Sequence, residues 1–233
     1  MTIHDVQPMT TAAQGQDVDG VAQTPACTKP RMMERDEWNQ RYTASDFIWT
    51  VNANRFLTAE LVGQSRGRAL DLACGEGRNA VWLAQQGWKV SAVDFSDVAI
   101  DKGRRLATTL GVASRIEFID ADLRQYQPAP QTFDLVALIY LQIPLNQLTP
   151  ILLRAAAALR PGGTFLLVAH DSDNLRRGYG GPQHPAMLYA AEDVAAAVEG
   201  PLRIEKATLV ERVVATAEGS KLAIDCLVRG TKL

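Results

Sequence analysis

Ala69-Leu-Asp-Leu-Ala-Cys-Gly-Glu-Gly-Arg-Asn-Ala80, followed by Trp88-Lys-Val-Ser-Ala-Val-Asp-Phe-Ser96, reads as a strand, a glycine turn, a helix and a second strand that ends in an acid. Residues 68–72 alternate and then turn apolar, the pattern of a buried strand. Gly75 and Gly77 let the backbone turn sharply and come close to a ligand. The helix that begins after Glu76 holds free amide groups above the turn, and such groups attract a carboxylate or a phosphate. Asp94, at the tip of the second strand, stands where an acid accepts hydrogen bonds from ribose hydroxyls.

The same alternation continues on both sides of this segment. Helices are expected at 34–42 and 52–62, then at 78–86, 97–110 and 145–159, with strands at 89–93, 115–119, 133–139 and 164–169. Arg160-Pro161-Gly162-Gly163 stops the last of these helices. Residues 202–214 and 221–229 form two strand-like runs around Ala217-Glu-Gly-Ser220, a hairpin pattern. Together these runs predict an α/β fold: a doubly wound, mostly parallel seven-stranded sheet with helices on both faces and an antiparallel C-terminal hairpin strand.

Gly75-x-Gly77-x-x-Ala80 also satisfies the dinucleotide fingerprint, which leaves an NAD(P)-binding oxidoreductase as an alternative. Asp71 separates the two readings. A carboxylate at the strand tip repels a pyrophosphate, whereas S-adenosylmethionine (SAM) has no phosphate and carries a sulfonium and an ammonium.

The segment resembles motif I of the class I SAM-dependent methyltransferases, with Asp71-x-Ala73-x-Gly75-x-Gly77 where the family usually has a glycine at the position of Ala73. The turn then requires Ala73 to keep a negative φ, which alanine tolerates. Gly77-Arg78-Asn79 resembles the tellurite-resistance type within that class, and the terminal hairpin and the Pro-Gly-Gly turn are similar to the family's pattern. The resemblance implies SAM as cofactor, with Asp71, Ala73, Gly75 and Gly77 around its methionine portion. It also implies Asp94 on the ribose, Phe95 against the adenine, and Asp122 and Leu123 as partners of the adenine edge. Asp120 competes with Asp122 for that role, and an Asp in this setting also serves as an ordinary turn or cap residue. Arg78 and Asn79 either reach the ligand or belong to an exposed first helical turn. Trp38-x-x-Arg41-Tyr42 is similar to a pattern placed over the methionine end. Tyr42 and Trp49 suit a sulfonium because aromatic faces attract cations, though Trp38 and Trp49 equally serve to pin a helix.

Methyl transfer from a sulfonium asks the protein mainly to align the acceptor and exclude water. A thiol, a chalcogen anion or a neutral amine needs no dedicated base, and a hydroxyl does. The substrate-facing candidates are Tyr140 and Gln142 after the fourth strand, His170 after the fifth, and Tyr179 and His184 in the glycine-rich loop 176–184. Arg176 and Arg177 either recognise an anion or are plain surface charge. The acceptor is expected to be a small molecule, and a non-catalytic SAM-binding protein is the third alternative.

With 233 residues and a formal charge of −2, the chain has no basic footprint for nucleic acid. Cys27, Cys74 and Cys226 form no CxxC pair, so neither a metal site nor a disulfide framework is expected, and a reduced cytoplasmic setting follows. Residues 1–30 have no apolar periodicity and read as a disordered tail, neither signal peptide nor membrane anchor. Residues 31–233 are expected to form the methyltransferase domain, with 31–64 as a helical cap and 171–190 as a lid loop. Oligomeric state is left open by the sequence.

Overall fold

The computed structural model describes residues 32–48 and 50–233. The expected tail at 1–30 and the candidate Trp49 lie outside the described residues. Seven strands form one sheet: β1 Arg68–Leu72, β2 Lys89–Asp94, β3 Ile116–Asp120, β4 Phe133–Ile139, β5 Leu159–His170, β6 Leu202–Thr216 and β7 Gly219–Lys232. Their order is β3-β2-β1-β4-β5-β7-β6. Pairing is parallel from β3 to β5, and β7 runs antiparallel to both β5 and β6. The seven-stranded doubly wound sheet with its antiparallel hairpin is therefore the fold that the strand spacing predicts.

The helices are α1 Arg35–Thr43, α2 Arg55–Glu60, α3 Arg78–Gln85, α4 Asp97–Thr109, α5 Leu145–Ala158, α6 Asn174–Arg177 and α7 Ala191–Val198. Strand alternation divides the core into two layers. Leu70, Leu72, Val136 and Phe165 face Leu152 of α5 and Val194 of α7. Ala69, Ala137, Leu166 and Val168 face Leu57 of α2 and Leu83 of α3. Each fully buried leucine in these layers contributes roughly 1.5–3 kcal/mol of transfer free energy. No helix among the described residues is long and apolar enough to cross a membrane.

Some boundaries differ from the sequence expectation. The second helix starts at Arg55 instead of 52, because the Asn54 side chain accepts from the amides of Phe56 and Leu57 and so caps the helix. The hairpin strands run further than expected and turn over Ala217 and Glu218. Ala73 has φ +58°, not the negative φ expected of an alanine. The chain must leave β1 and turn towards α3 within a few residues, and the left-handed conformation is imposed on whichever residue stands at the corner.

Candidate functional site

Strand order reverses between β1 and β4, which leaves a crevice beyond the carboxyl ends of the parallel strands. A cavity of about 510 Å³ occupies it, within the usual range for small-molecule sites. At its β1–β2 end the Asp94 carboxylate is buried and accepts from the amides of Gly75 (2.8 Å) and Ser96 (2.9 Å), which locks the glycine turn against the tip of β2. Burial raises its pKa, and these amides pull against that rise. An ionised carboxylate has about four acceptor positions, so lone pairs remain for a ligand in the cavity. Gly75 has φ +53°, and a β-carbon there would lie 3.0 Å from the Tyr42 hydroxyl. Only glycine lets the cap and the turn approach this closely.

Asp71 lies beneath that turn, fully buried, and neither of its carboxylate oxygens has a hydrogen-bond partner among the described residues. Burial pushes its pKa up to about 7, and Asp94 adds to the shift. Arg78 and the Ala80 amide oppose it without making a hydrogen bond to the carboxylate. Arg78 lines the cavity at the first turn of α3 and has no hydrogen bond or ion pair among the described residues. Here, then, are an unpartnered anion and an unpartnered cation at the same strand tip.

The N-terminal segment roofs this end. Asn39 bonds both Ser96 Oγ and Asp97, which ties α1 to α4. Lys102 Nζ is buried and reaches the carbonyls of Tyr42 and Ser45, with Glu76 Oε1 at 3.2 Å. Glu76 in turn accepts from the Ile48 amide, and Asn79 Oδ1 accepts from the Asn54 amide (2.9 Å). Glu76 and Asn79, both in the glycine-turn segment, thus anchor the cap.

The β4–β5 end is a different assembly. His170 and Asp225 are directly opposed in the β5–β7 ladder, and Nδ1 lies 3.1 Å from Asp225 Oδ1. The Tyr140 hydroxyl donates to Asp225 Oδ2 (2.7 Å), and Arg212 Nε reaches both that oxygen (2.7 Å) and the Tyr140 oxygen (3.1 Å). Arg212 pairs with Ala223 in the β6–β7 ladder, a diagonal neighbour of Asp225 on the same face. Tyr140 stacks on His170 with ring centroids 4.7 Å apart and has φ +61°, a strained value for a bulky residue. Burial, together with Asp225, holds its hydroxyl protonated well above the usual tyrosine range.

Of the residues singled out in the sequence, Trp38, Tyr42, Ala73, Gly75, Arg78, Asn79, Asp94, Phe95, Asp122, Leu123, Tyr140, Gln142 and His170 border the cavity. Asp71 is just below it, and Gly77 packs instead against Phe118 and Gly103 at the start of α3. Arg41 is not among the lining residues: its guanidinium sits over the Trp38 ring at 5.3 Å on the exposed side of α1. Tyr179 is 44% exposed and away from the cavity. His184 is also outside it, because its Nδ1 accepts from the Ala186 amide and caps a short 3-10 turn. Asp120 pairs with Arg35, whereas Asp122 borders the cavity with its carboxylate gripped by Arg124. Burial would raise the Asp122 pKa, but that grip holds it below the ordinary value. Sequence reading missed Arg212 and Asp225. The one available signal was Asp225, an acid inside the apolar run of residues 222–228; Arg212 stands among other charged residues of β6 and gave none.

A family model described as a methyltransferase domain matches residues 69–163, from β1 to the start of β5. That match covers under half of the chain, and it supports a class I SAM-dependent methyltransferase domain. It is 31% identical over 142 residues to the demethylmenaquinone methyltransferase of Clavibacter sepedonicus, covering 58% of this chain and 54% of that protein. It is 28% identical over 120 residues to the tRNA 5-carboxymethoxyuridine methyltransferase of Escherichia coli K12, covering 49% and 44%. The chain spans about a third to a half of the length of the curated relatives it matches. Among solved structures, TehB from Haemophilus influenzae superposes with a TM-score of 0.65 at 16% identity, over 85% of this chain and 67% of that one. A SAM-dependent methyltransferase from Methanosarcina mazei superposes with 0.60 at 16% identity, over 78% and 99%. The fold of the domain is thus shared at low identity. The residues present suit the family's cofactor: the bare Asp71 carboxylate calls for a cation nearby, and a diphosphate there would leave that buried charge worse off.

Proposed function

We propose that this domain transfers the methyl group of SAM to a small-molecule acceptor held in the same cavity. The observation that carries this reading is Asp71, a buried carboxylate with both oxygens unpaired below a glycine turn. Such a group is destabilising unless a positive charge is brought to it. Asp94 would hold the ribose and Phe95 the adenine. Asp122 and Leu123 would meet the adenine edge, and Arg78 the carboxylate of the amino-acid moiety. SAM supplies an electrophilic methyl carbon whose leaving group is a neutral thioether, so the chain itself needs to align the acceptor and exclude water. The cap formed by α1 and the segment around Ile48 and Asn54 would do the second, with the loop 171–190 acting as a lid. The small size of the acceptor is supported by the roofed cavity and by the net charge of −2, which gives no broad basic surface for RNA.

Calorimetric titration with SAM and with NAD tests the cofactor. SAM binding without NAD binding is expected, and tight NAD binding alone would point to an oxidoreductase. Release of S-adenosylhomocysteine is then measured across thiols, phenols, amines, oxyanions and a bulk tRNA preparation. Turnover confined to tRNA would overturn the small-molecule acceptor, and SAM binding with no turnover on any acceptor would make the protein a binder of SAM.

A further inference from the structure

We propose that His170, polarised by Asp225, is the base that takes the proton of the methyl acceptor, and that the acceptor is an apolar molecule with a weakly acidic hydroxyl, a phenol or an enol. The inference rests on the methyltransferase reading above and specifies its substrate end. Asp225 is fully buried and, when ionised, can only accept hydrogen bonds, so the imidazole proton belongs on Nδ1. In the neutral ring Nε2 then carries the free lone pair. Nothing among the described residues bonds Nε2, and His170 borders the cavity. Tyr140 stacks on the ring, and Gly181 lies so close to it that a β-carbon there would be 3.0 Å from Cγ and Nδ1. The ring is therefore fixed in orientation with its basic nitrogen left open.

Charge and lining specify the acceptor. Arg212, bonded to Asp225 and Tyr140, borders the cavity beside His170, whereas Arg78 is given above to the cofactor's carboxylate. The Arg212 guanidinium disfavours an ammonium and favours an acceptor that becomes an oxyanion. Ile139, Leu141, Ile143 and Ile151 supply an apolar wall for its body. A thiolate or a chalcogen anion would use none of this basic machinery.

The step balances as follows in atoms and electrons. The acceptor O–H proton passes to His170 Nε2, and the electron pair left on oxygen forms the new O–CH3 bond. The pair of the broken C–S bond stays on sulfur, which becomes neutral, and the imidazolium later releases its proton to water. Asp225 is a positioning residue: it sets the tautomer and stabilises the imidazolium. Tyr140 and Arg212 hold Asp225 in place.

The test compares wild type and His170→Gln on alkylphenols, which are protonated at the assay pH, and on nitrophenols, which are already ionised. The variant should keep SAM affinity within about twofold, lose about 10²- to 10⁴-fold of turnover on alkylphenols, and lose less than about tenfold on nitrophenolates. Equal losses on both sets, or no loss on either, would overturn the base. A wild-type protein that binds SAM yet methylates no phenol or enol would overturn the acceptor class. Failure of wild type to bind SAM would instead bring down the underlying methyltransferase reading, and this assignment with it. Independently of turnover, ¹⁵N spectra of histidine-labelled protein should show His170 as the Nδ1–H tautomer when neutral. An Nε2–H tautomer would rule the proposal out even if His170→Gln failed to fold.

Discussion

At the β1–β2 end of the cavity, the partners Gly75 and Asp94 are 19 positions apart; at the β4–β5 end, Tyr140 and Asp225 are 85 apart, one just past β4 and the other on β7. The first end is assembled by one βαβ unit whose glycine turn, helix start and strand tip follow in sequence. The second is assembled by the antiparallel ladder, which sets His170 opposite Asp225 and brings Arg212 beside them. The ends also differ in how their charges are met. Every carboxylate oxygen of Asp225 has a protein partner, whereas neither oxygen of Asp71 has one among the described residues. One end is electrostatically complete without a ligand, and the other is not.

The strongest way to break this contrast is to titrate it. The Asp71 carboxyl has a folded-state pKa near 7 against an ordinary value of 3.8. Between those values the folded chain holds a proton that the unfolded chain has released, so stability falls as pH rises through that window. The loss amounts to at most about 4 kcal/mol by neutral pH. Arg78 and Asp94 are the charged groups that face it. Asp71→Asn should flatten the pH dependence of the melting temperature and raise it at pH 8, while weakening SAM binding. A variant whose melting curve keeps the wild-type pH profile would show that Asp71 finds a partner in solution.

The difference in construction also explains what was legible in the sequence. The βαβ rhythm and the apolar strands fixed the parallel sheet, because period-two burial and glycine stops are local signals. Asp71, Gly75 and Asp94 could be read for the same reason. Tyr140 and His170 were legible only as residues at strand ends. Asp225 and Arg212 were not legible, since cross-strand register decides which charges meet and register is not a local property. Tyr179 and His184 drew notice by residue type, yet the loop brings the backbone of Gly181 against His170 in their stead. Ala73 was misread because glycine's absence suggested a relaxed corner, when the turn required a left-handed one whatever residue stood there.

Asp94→Ala sharpens the cofactor side. It leaves the Gly75 and Ser96 amides buried without an acceptor and removes the proposed ribose contact. SAM affinity should fall by about 10- to 100-fold, roughly 1.4–3 kcal/mol, together with a lower melting temperature. Asp94→Asn, which keeps an acceptor, should fall between. Calorimetry that finds both variants unchanged would move the ribose elsewhere.

Gly181→Ala probes the acceptor side without touching the cofactor turn. Its new methyl group would press on the His170 ring, and the positive φ of +75° adds backbone strain in the loop. Turnover should drop about tenfold through misalignment of the imidazole. SAM affinity should stay at the wild-type value, which separates the two ends in a single variant. A parallel loss of SAM binding would mean that the loop 171–190 closes over both.

Ala73→Gly should have the smallest effect and the least usual sign. An alanine held at φ +58° is strained by about 1–2 kcal/mol, a penalty that glycine does not feel. Glycine also gives the unfolded chain more freedom, which takes back roughly 0.4–1 kcal/mol. The Ala73 methyl group packs against the core layer under α5, and its loss subtracts a little more. The net expectation is a ligand-free protein more stable by up to about 1 kcal/mol, a rise of about 2–4 °C in melting temperature. If the strain instead preorganises the turn for its ligand, SAM binding will weaken as stability rises, because the relaxed corner must be ordered again on binding. A variant that melts lower than wild type would show that the methyl packing outweighs the backbone strain, and that the corner is adapted to alanine.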